Sequence, residues 1–190
     1  MFKIKNDGKG FTLLELLVVV LIIGILAAIA LPQYKKAIEK TKASQALTLI
    51  KSLDESIRSY QMTTGHYPTD FNLFDIEIPE SFNINEKFVN NEFTYGQSNE
   101  DWNISVENRE IGNGVILYMV RRSGKYLGAG FSIAYETSNT LLKGRLFCFE
   151  RTSGSNYNFN VNLLDGSYCE KIMQGQFLTE SAYWRTYTIN

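Results

Sequence analysis

Three places in the chain carry residue types capable of chemistry. Glu15 stands in "GKGFTLLELLVVVLIIGILAAIAL" (8–31) as the one charged residue between Lys9 and Lys35. A carboxylate inside so apolar a run costs roughly 2.5–3.5 kcal/mol at the middle of a bilayer, which makes it a functional candidate. Such a group could neutralise a positive charge in a low-dielectric setting, or sit at a helix start where the macrodipole favours an anion. Cys148 and Cys169 are the second place. In an exported chain an even count reads as one disulfide, closing a loop of about 20 residues for roughly 3 kcal/mol. In a cytosolic chain the same two residues would be buried thiols. His66, the third, is the only histidine and lies between turn residues, with no close cysteine pair for zinc. No Ser-His-Asp set, metal cluster or phosphate-binding glycine loop accompanies it, so the chain is read as neither an enzyme nor a holder of a cofactor or metal.

These residues need elements to position them. The 190 residues allow one ordinary domain and an appendage, and a net charge of -1 gives no general pull on nucleic acid. Phe11 to Leu31 is long enough, as a helix of about 31 Å, to match the hydrocarbon thickness of a membrane. Ala28-Ile29-Ala30 also has the small-x-small form of a signal-peptide cleavage site. Lysines flank the run on both sides (Lys3, Lys5 and Lys9; Lys35, Lys36, Lys40 and Lys42), so charge counting leaves the orientation open.

Pro32 predicts a bend rather than an end, because the helical pattern continues. Ile50, Leu53, Ile57 and Tyr60 recur at three- and four-residue spacing with charges between them, an apolar stripe. Gly65 supplies a C-cap and Pro68 blocks continuation. The spacing therefore predicts one helix of about 52 residues, near 78 Å long, apolar all round in its first half and on one side in its second. Residues 77–110 carry eight carboxylates against Lys87 and Arg109, with many asparagines. They read as a solvated loop with a short strand. A calcium site through Glu100, Asp101 or Glu107 lacks a familiar ligand spacing. "GVILYMVRR" and "KYLGAGFSIAY" read as a hairpin about Ser123-Gly124. "GRLFCFER", "YNFNVNLL" and "AYWRTYTI" read as further strands. The fold class is α+β, a long helix on four or five antiparallel strands. Trp102 and Trp184 read as core or rim residues rather than as an adhesive or DNA-binding surface.

Gly10, Phe11-Thr12-Leu13-Leu14-Glu15, and the apolar run with Gly24 and Pro32 resemble the prepilin signature of type IV pilins and type II secretion pseudopilins. The likeness is close over about residues 1–45 and extends to the rest only as a layout. It implies a leader (1–10), a membrane and filament-core half-helix (11–32) and an amphipathic half (33–64). An αβ loop (65–113) and an antiparallel sheet with a disulfide-bounded loop (114–190) complete that layout. It implies cleavage between Gly10 and Phe11 by a prepilin peptidase on the cytoplasmic side, N-methylation of Phe11, and a disulfide between Cys148 and Cys169. It further implies that Glu15 attracts the amine of a neighbouring subunit during assembly, and that Gly24 and Pro32 bracket a stretch that can lose helical bonding. The partners implied are other copies or related pilins in a filament, the peptidase, an inner-membrane assembly platform and the bilayer, without specific nucleic acid. The chain would be a single-pass bacterial inner-membrane protein and then part of an extracellular pilus.

"GHYPT" (65–69) resembles the major pseudopilin, whose acidic loop binds calcium, but the residues after Thr69 depart from it and the paired cysteines favour a pilin. A periplasmic pseudopilus subunit and a membrane-tethered binding domain are the alternatives. The acidic segment is expected to face Arg121, Arg122 and Lys125 of a neighbour in the filament.

Overall fold

A computed structural model describes residues 10–68, 71–73, 75–82, 96–109, 114–137, 139–152, 166–181 and 183–189. The chain divides into two units, Met1–Glu39 and Lys40–Asn190. A single helix, α1, runs over Leu13–Thr64, 52 residues, and continues through Pro32. It is long and apolar enough to cross a membrane. The three valines and four isoleucines between Val18 and Ile29 are poor helix formers in water. In lipid, where every backbone group must be satisfied within its own segment, the helix is the form left to them.

α1 ends as the sequence predicts. Gly65 adopts a left-handed φ of 79°, and its N–H donates to the Gln61 carbonyl at 2.9 Å. No L-residue takes that conformation without strain, and Pro68 then prevents a further turn.

In the second unit the apolar stripe of α1 is covered. Ala43, Ala46, Ile50, Leu53 and Ile57 are buried in one cluster with Ile104, Val106, Leu117, Met119, Phe131 and Ile133. Those partners come from a seven-stranded sheet. Its strands are β1 (Gly96–Ser98), β2 (Trp102–Arg109), β3 (Gly114–Arg121), β4 (Gly130–Ala134), β5 (Leu146–Arg151), β6 (Gln176–Glu180) and β7 (Trp184–Thr188). Their order is β1-β2-β3-β4-β5-β7-β6, and every pairing is antiparallel. The α+β architecture is the one the sequence predicts, with more strands.

The differences have physical causes. Trp102–Arg109 is an eight-residue strand, not loop. Trp102, Ile104 and Val106 alternate as a strand should, but Asn103, Ser105 and Glu107 on its other face are buried too. Polar residues that face no water disguise the strand as an acidic loop. The β3–β4 connection is wider than a two-residue turn at Ser123-Gly124. Arg121 N–H donates to the Ala129 carbonyl at 2.7 Å, and Gly124 and Gly128 both take positive φ. The extra residues bury Tyr126, whose ring lies 5.1 Å from that of Tyr168. β4 therefore starts only at Gly130, where a side chain would collide with the Met119 carbonyl. β6 is an edge strand with a register shift between Phe177 and Thr179. Its exposed residues carry no two-faced pattern, which is why the sequence does not announce it. "YNFNVNLL" lies outside the described residues.

Tyr135 follows β4 and is buried, 5.2 Å from the Tyr67 ring and beneath the Arg58 guanidinium at 5.6 Å. Burial pushes its phenol far above the ordinary value; the Asp54 carboxylate adds to the shift and Arg58 opposes it. Burial, then the Glu136 charge, raises Tyr67 as well.

Two outcomes are expected. Leu53→Ala keeps helix propensity but empties a core position, and should cost about 2–5 kcal/mol in denaturant unfolding of the full chain in detergent. A loss well under about 1 kcal/mol would show that the stripe does not carry the packing. The raised phenols keep their protons in the folded chain while the unfolded chain loses them from about pH 10. Stability should thus be whole below that pH and fall as pH rises through it, by at most about 1.4 kcal/mol per unit for one phenol. Tyr135→Phe should flatten the decline.

Candidate functional site

The residues singled out by their chemistry fall in separate places. At the start of α1, Thr12 and Glu15 bind one another. Thr12 N–H and Thr12 Oγ1 both donate to Glu15 Oε2 at 2.8 Å, and Glu15 N–H donates to Thr12 Oγ1 at 3.2 Å. This reciprocal arrangement satisfies orphan donors of the first turn, a capping box of the Thr-x-x-Glu form. The carboxylate that the apolar run makes conspicuous therefore has a local role at the helix start. Only one of its oxygens is engaged among the described residues. Phe11, Leu13, Leu14 and the large apolar residues from Leu16 to Leu31 are exposed. Gly10 lies just ahead of them, also exposed.

Gly24 has open space around it: a methyl group there would meet nothing within 4 Å. Among the described residues, no packing demands glycine at that position. Eight residues on, Pro32 leaves the Ala28 carbonyl without its usual amide partner. The helix nonetheless stays continuous across both.

At the described end of the acidic stretch, Asp101 is engaged within the chain. Asp101 Oδ1 accepts from Lys42 Nζ at 2.7 Å and from Arg121 Nη1 at 3.1 Å. It thereby ties α1 to β3 inside one chain. Arg121 is buried and stacks over Trp102 at 5.2 Å, so it cannot face another subunit's acidic residues. Glu107 is buried on β2. Asp101 Oδ1 is thus engaged by two cationic side chains, and Glu107 is out of solvent. No group of metal-binding side chains occurs among the described residues. Trp102 is core, stacked on Phe131 at 5.8 Å. Trp184 is half-buried between Phe149, edge to face at 5.0 Å, and the Arg151 guanidinium at 4.9 Å. His66 is exposed.

Cys148 on β5 and Cys169 form a disulfide, both fully buried. A functional group that sequence reasoning missed lies beside it. Glu150, two residues along β5, is wholly buried. Its Oε1 accepts from the Tyr168 and Cys169 N–H groups at 2.6 Å, and its Oε2 from Gly166 N–H at 2.7 Å. The only signal available beforehand was a glutamate inside the apolar alternation of "LFCFER".

Comparison with known proteins finds a match to the family model described as the prokaryotic N-terminal methylation motif, over residues 5–31. The chain is 33% identical over 118 residues to the type IV major pilin protein PilE of Neisseria gonorrhoeae, covering 61% of this chain and 70% of that protein. It is 38% identical over 87 residues to the fimbrial protein EcpC of Eikenella corrodens, covering 46% and 54% respectively. Over 52 residues it is 56% identical to a fimbrial protein of Moraxella nonliquefaciens, covering 27% of this chain and 34% of that protein. The chain thus spans about half the length of the Eikenella relative and a third of the Moraxella one. No solved structure matches it.

Thr12→Ala should remove both halves of the capping box and weaken the first turn by about 0.5–2 kcal/mol. The expected sign is faster amide exchange from Leu13 to Leu16 in detergent micelles, with Thr12→Ser close to the parent. Unchanged exchange in the alanine variant would show that the box does not hold the helix start.

Proposed function

The chain belongs to the type IV pilin family, and from that premise we propose that it is a structural subunit of a type IV pilus, held in the membrane before assembly and polymerised through α1. The observation that carries the proposal is the start of α1, where a carboxylate, capped by Thr12, opens a long helix of exposed apolar side chains. A contiguous apolar surface of this size must be covered by lipid or by other apolar helices. In a bilayer the covering is acyl chain; in a filament it is the same helix of neighbouring subunits.

Glu15 supplies direction to an otherwise unspecific attraction. Cleavage between Gly10 and Phe11 turns Phe11 into a cationic amine, which methylation leaves charged. An amine of one subunit that approaches the free oxygen of Glu15 in another exchanges two poorly solvated charges for a pair. The apolar burial supplies the bulk of the free energy, and the pair sets the axial step. Thr12 lowers the cost of waiting, because Oε2 is already hydrogen-bonded before a partner arrives. Gly24 and Pro32 mark the weakest part of the helix, where extension of a filament would first open hydrogen bonds. In this account the chain needs no cofactor, performs no catalysis, and passes from the inner membrane to the cell exterior with its globular unit outside. Its partners are like subunits, the prepilin peptidase and an assembly platform in the membrane.

N-terminal sequencing and intact mass of protein from native cells test the life history. The expected chain begins at Phe11, one methyl group heavier and two hydrogens lighter than its residues require. A start at Leu31 or an intact Met1 would rule out the pilin maturation route. Glu15→Gln should leave the membrane pool unchanged and lower the yield of sheared filaments about tenfold or more, as expected for a charge left without its counter-ion. Filaments at parental yield would remove Glu15 from assembly.

A further inference from the structure

Glu150 lies on β5, away from the start of α1, and is one of the largest fully buried side chains. Burying a carboxylate is costly unless hydrogen bonds replace its water. Three backbone N–H groups do so here, all from one short stretch, Gly166, Tyr168 and Cys169. That stretch opens a helix-like turn. Glu170 and Lys171 N–H donate to the Gly166 carbonyl, Ile172 and Met173 to Tyr168, Gln174 to Glu170 and Gly175 to Cys169. The carboxylate therefore caps the amino end of a turn, where unpaired N–H groups converge. Gly166, at φ 69°, makes the entry possible.

Cys169 is inside this cap: its own N–H is one of the three donors. Cys148 is on the same strand as Glu150, two residues away and on the same side. Tyr168 and Ile172, buried in the main cluster, hold the turn from its other side. All of these contacts are made by groups other than the two sulfurs.

We propose that Glu150 is a positioning residue for disulfide formation, docking the 166–175 turn on β5 in the reduced chain so that Cys169 is brought to Cys148 before the bond exists. The oxidant is a small or protein disulfide. One cysteine thiolate, exposed when the turn opens, attacks it and releases a thiolate, leaving a mixed disulfide. Redocking on Glu150 brings the second cysteine thiolate to that mixed disulfide, forming Cys148–Cys169 and releasing the other thiolate. Two S–H bonds and the donor's S–S bond are lost, one S–S bond forms in the chain, two electrons pass to the donor, and the protons end on its two thiols. The disulfide then locks a geometry that the carboxylate has already selected.

The full-length chain in detergent tests this in two ways. In the wild-type chain reduced with a phosphine, hydrogen exchange is read at Gly166, Tyr168 and Cys169. Protection retained at all three is expected; exchange at the rate of an unstructured peptide overturns the proposal. The second measurement equilibrates the chain with reduced and oxidised glutathione and reads the effective concentration of the cysteine pair. Glu150→Gln should lower it by about tenfold or more, the scale of hydrogen bonds to a charged group. Ile50→Val, a core substitution on α1 that removes none of the hydrogen bonds to Glu150, should leave it unchanged. An unaltered value in Glu150→Gln, or an equal fall in Ile50→Val, overturns the proposal.

Discussion

Coverage of apolar surface is the constraint on which everything else in this protein depends. α1 carries more of it than one small unit can bury. Where the apolar residues form a stripe, from Ala43 to Ile57, the sheet answers with Ile104, Leu117, Phe131 and their neighbours. Where they go all round, from Leu13 to Leu31, the side chains are exposed. The same helix thus obeys one rule in two solvents. The first part needs a bilayer or a bundle of like helices, and membership in the type IV pilin family accounts for both.

Three carboxylates show how much an environment decides. Glu15 is exposed and held by Thr12 at a helix start. Asp101 sits at the surface, shared between Lys42 and Arg121. Glu150 is buried and surrounded by backbone donors. Each is satisfied in a different currency: a local cap, opposite charge, and converging N–H groups. Only the first stands at the head of the exposed apolar helix, beside the residue whose amine maturation would create.

Asp101 ties α1 to β3 through Lys42 and Arg121, and the Arg121 guanidinium stacks on Trp102. The disulfide and Glu150 together fasten the 166–175 turn to β5. These ties join residues 16 to 59 positions apart along the chain.

The sequence by itself determined the long helix, its two characters and its stop, because apolar periodicity, a carboxylate near the start and Gly65 ahead of Pro68 act within a few residues of one another. It also determined β3, β4, β5 and β7, whose β-branched and aromatic residues mark them as strands, and it marked Gly10 to Pro32 as a motif. Tertiary structure alone decided what opposes what. β2 looks like an acidic loop until its polar face is seen to be buried as well. β6 has no pattern because it is an edge, and Tyr126 widens the β3–β4 turn only because Tyr168 is there to receive it. Asp101 and Glu150 became structural ties through partners brought close by strand order rather than by spacing. Local propensity is written in neighbours along the chain; a buried charge finds its partners across it, and no periodicity carries that information.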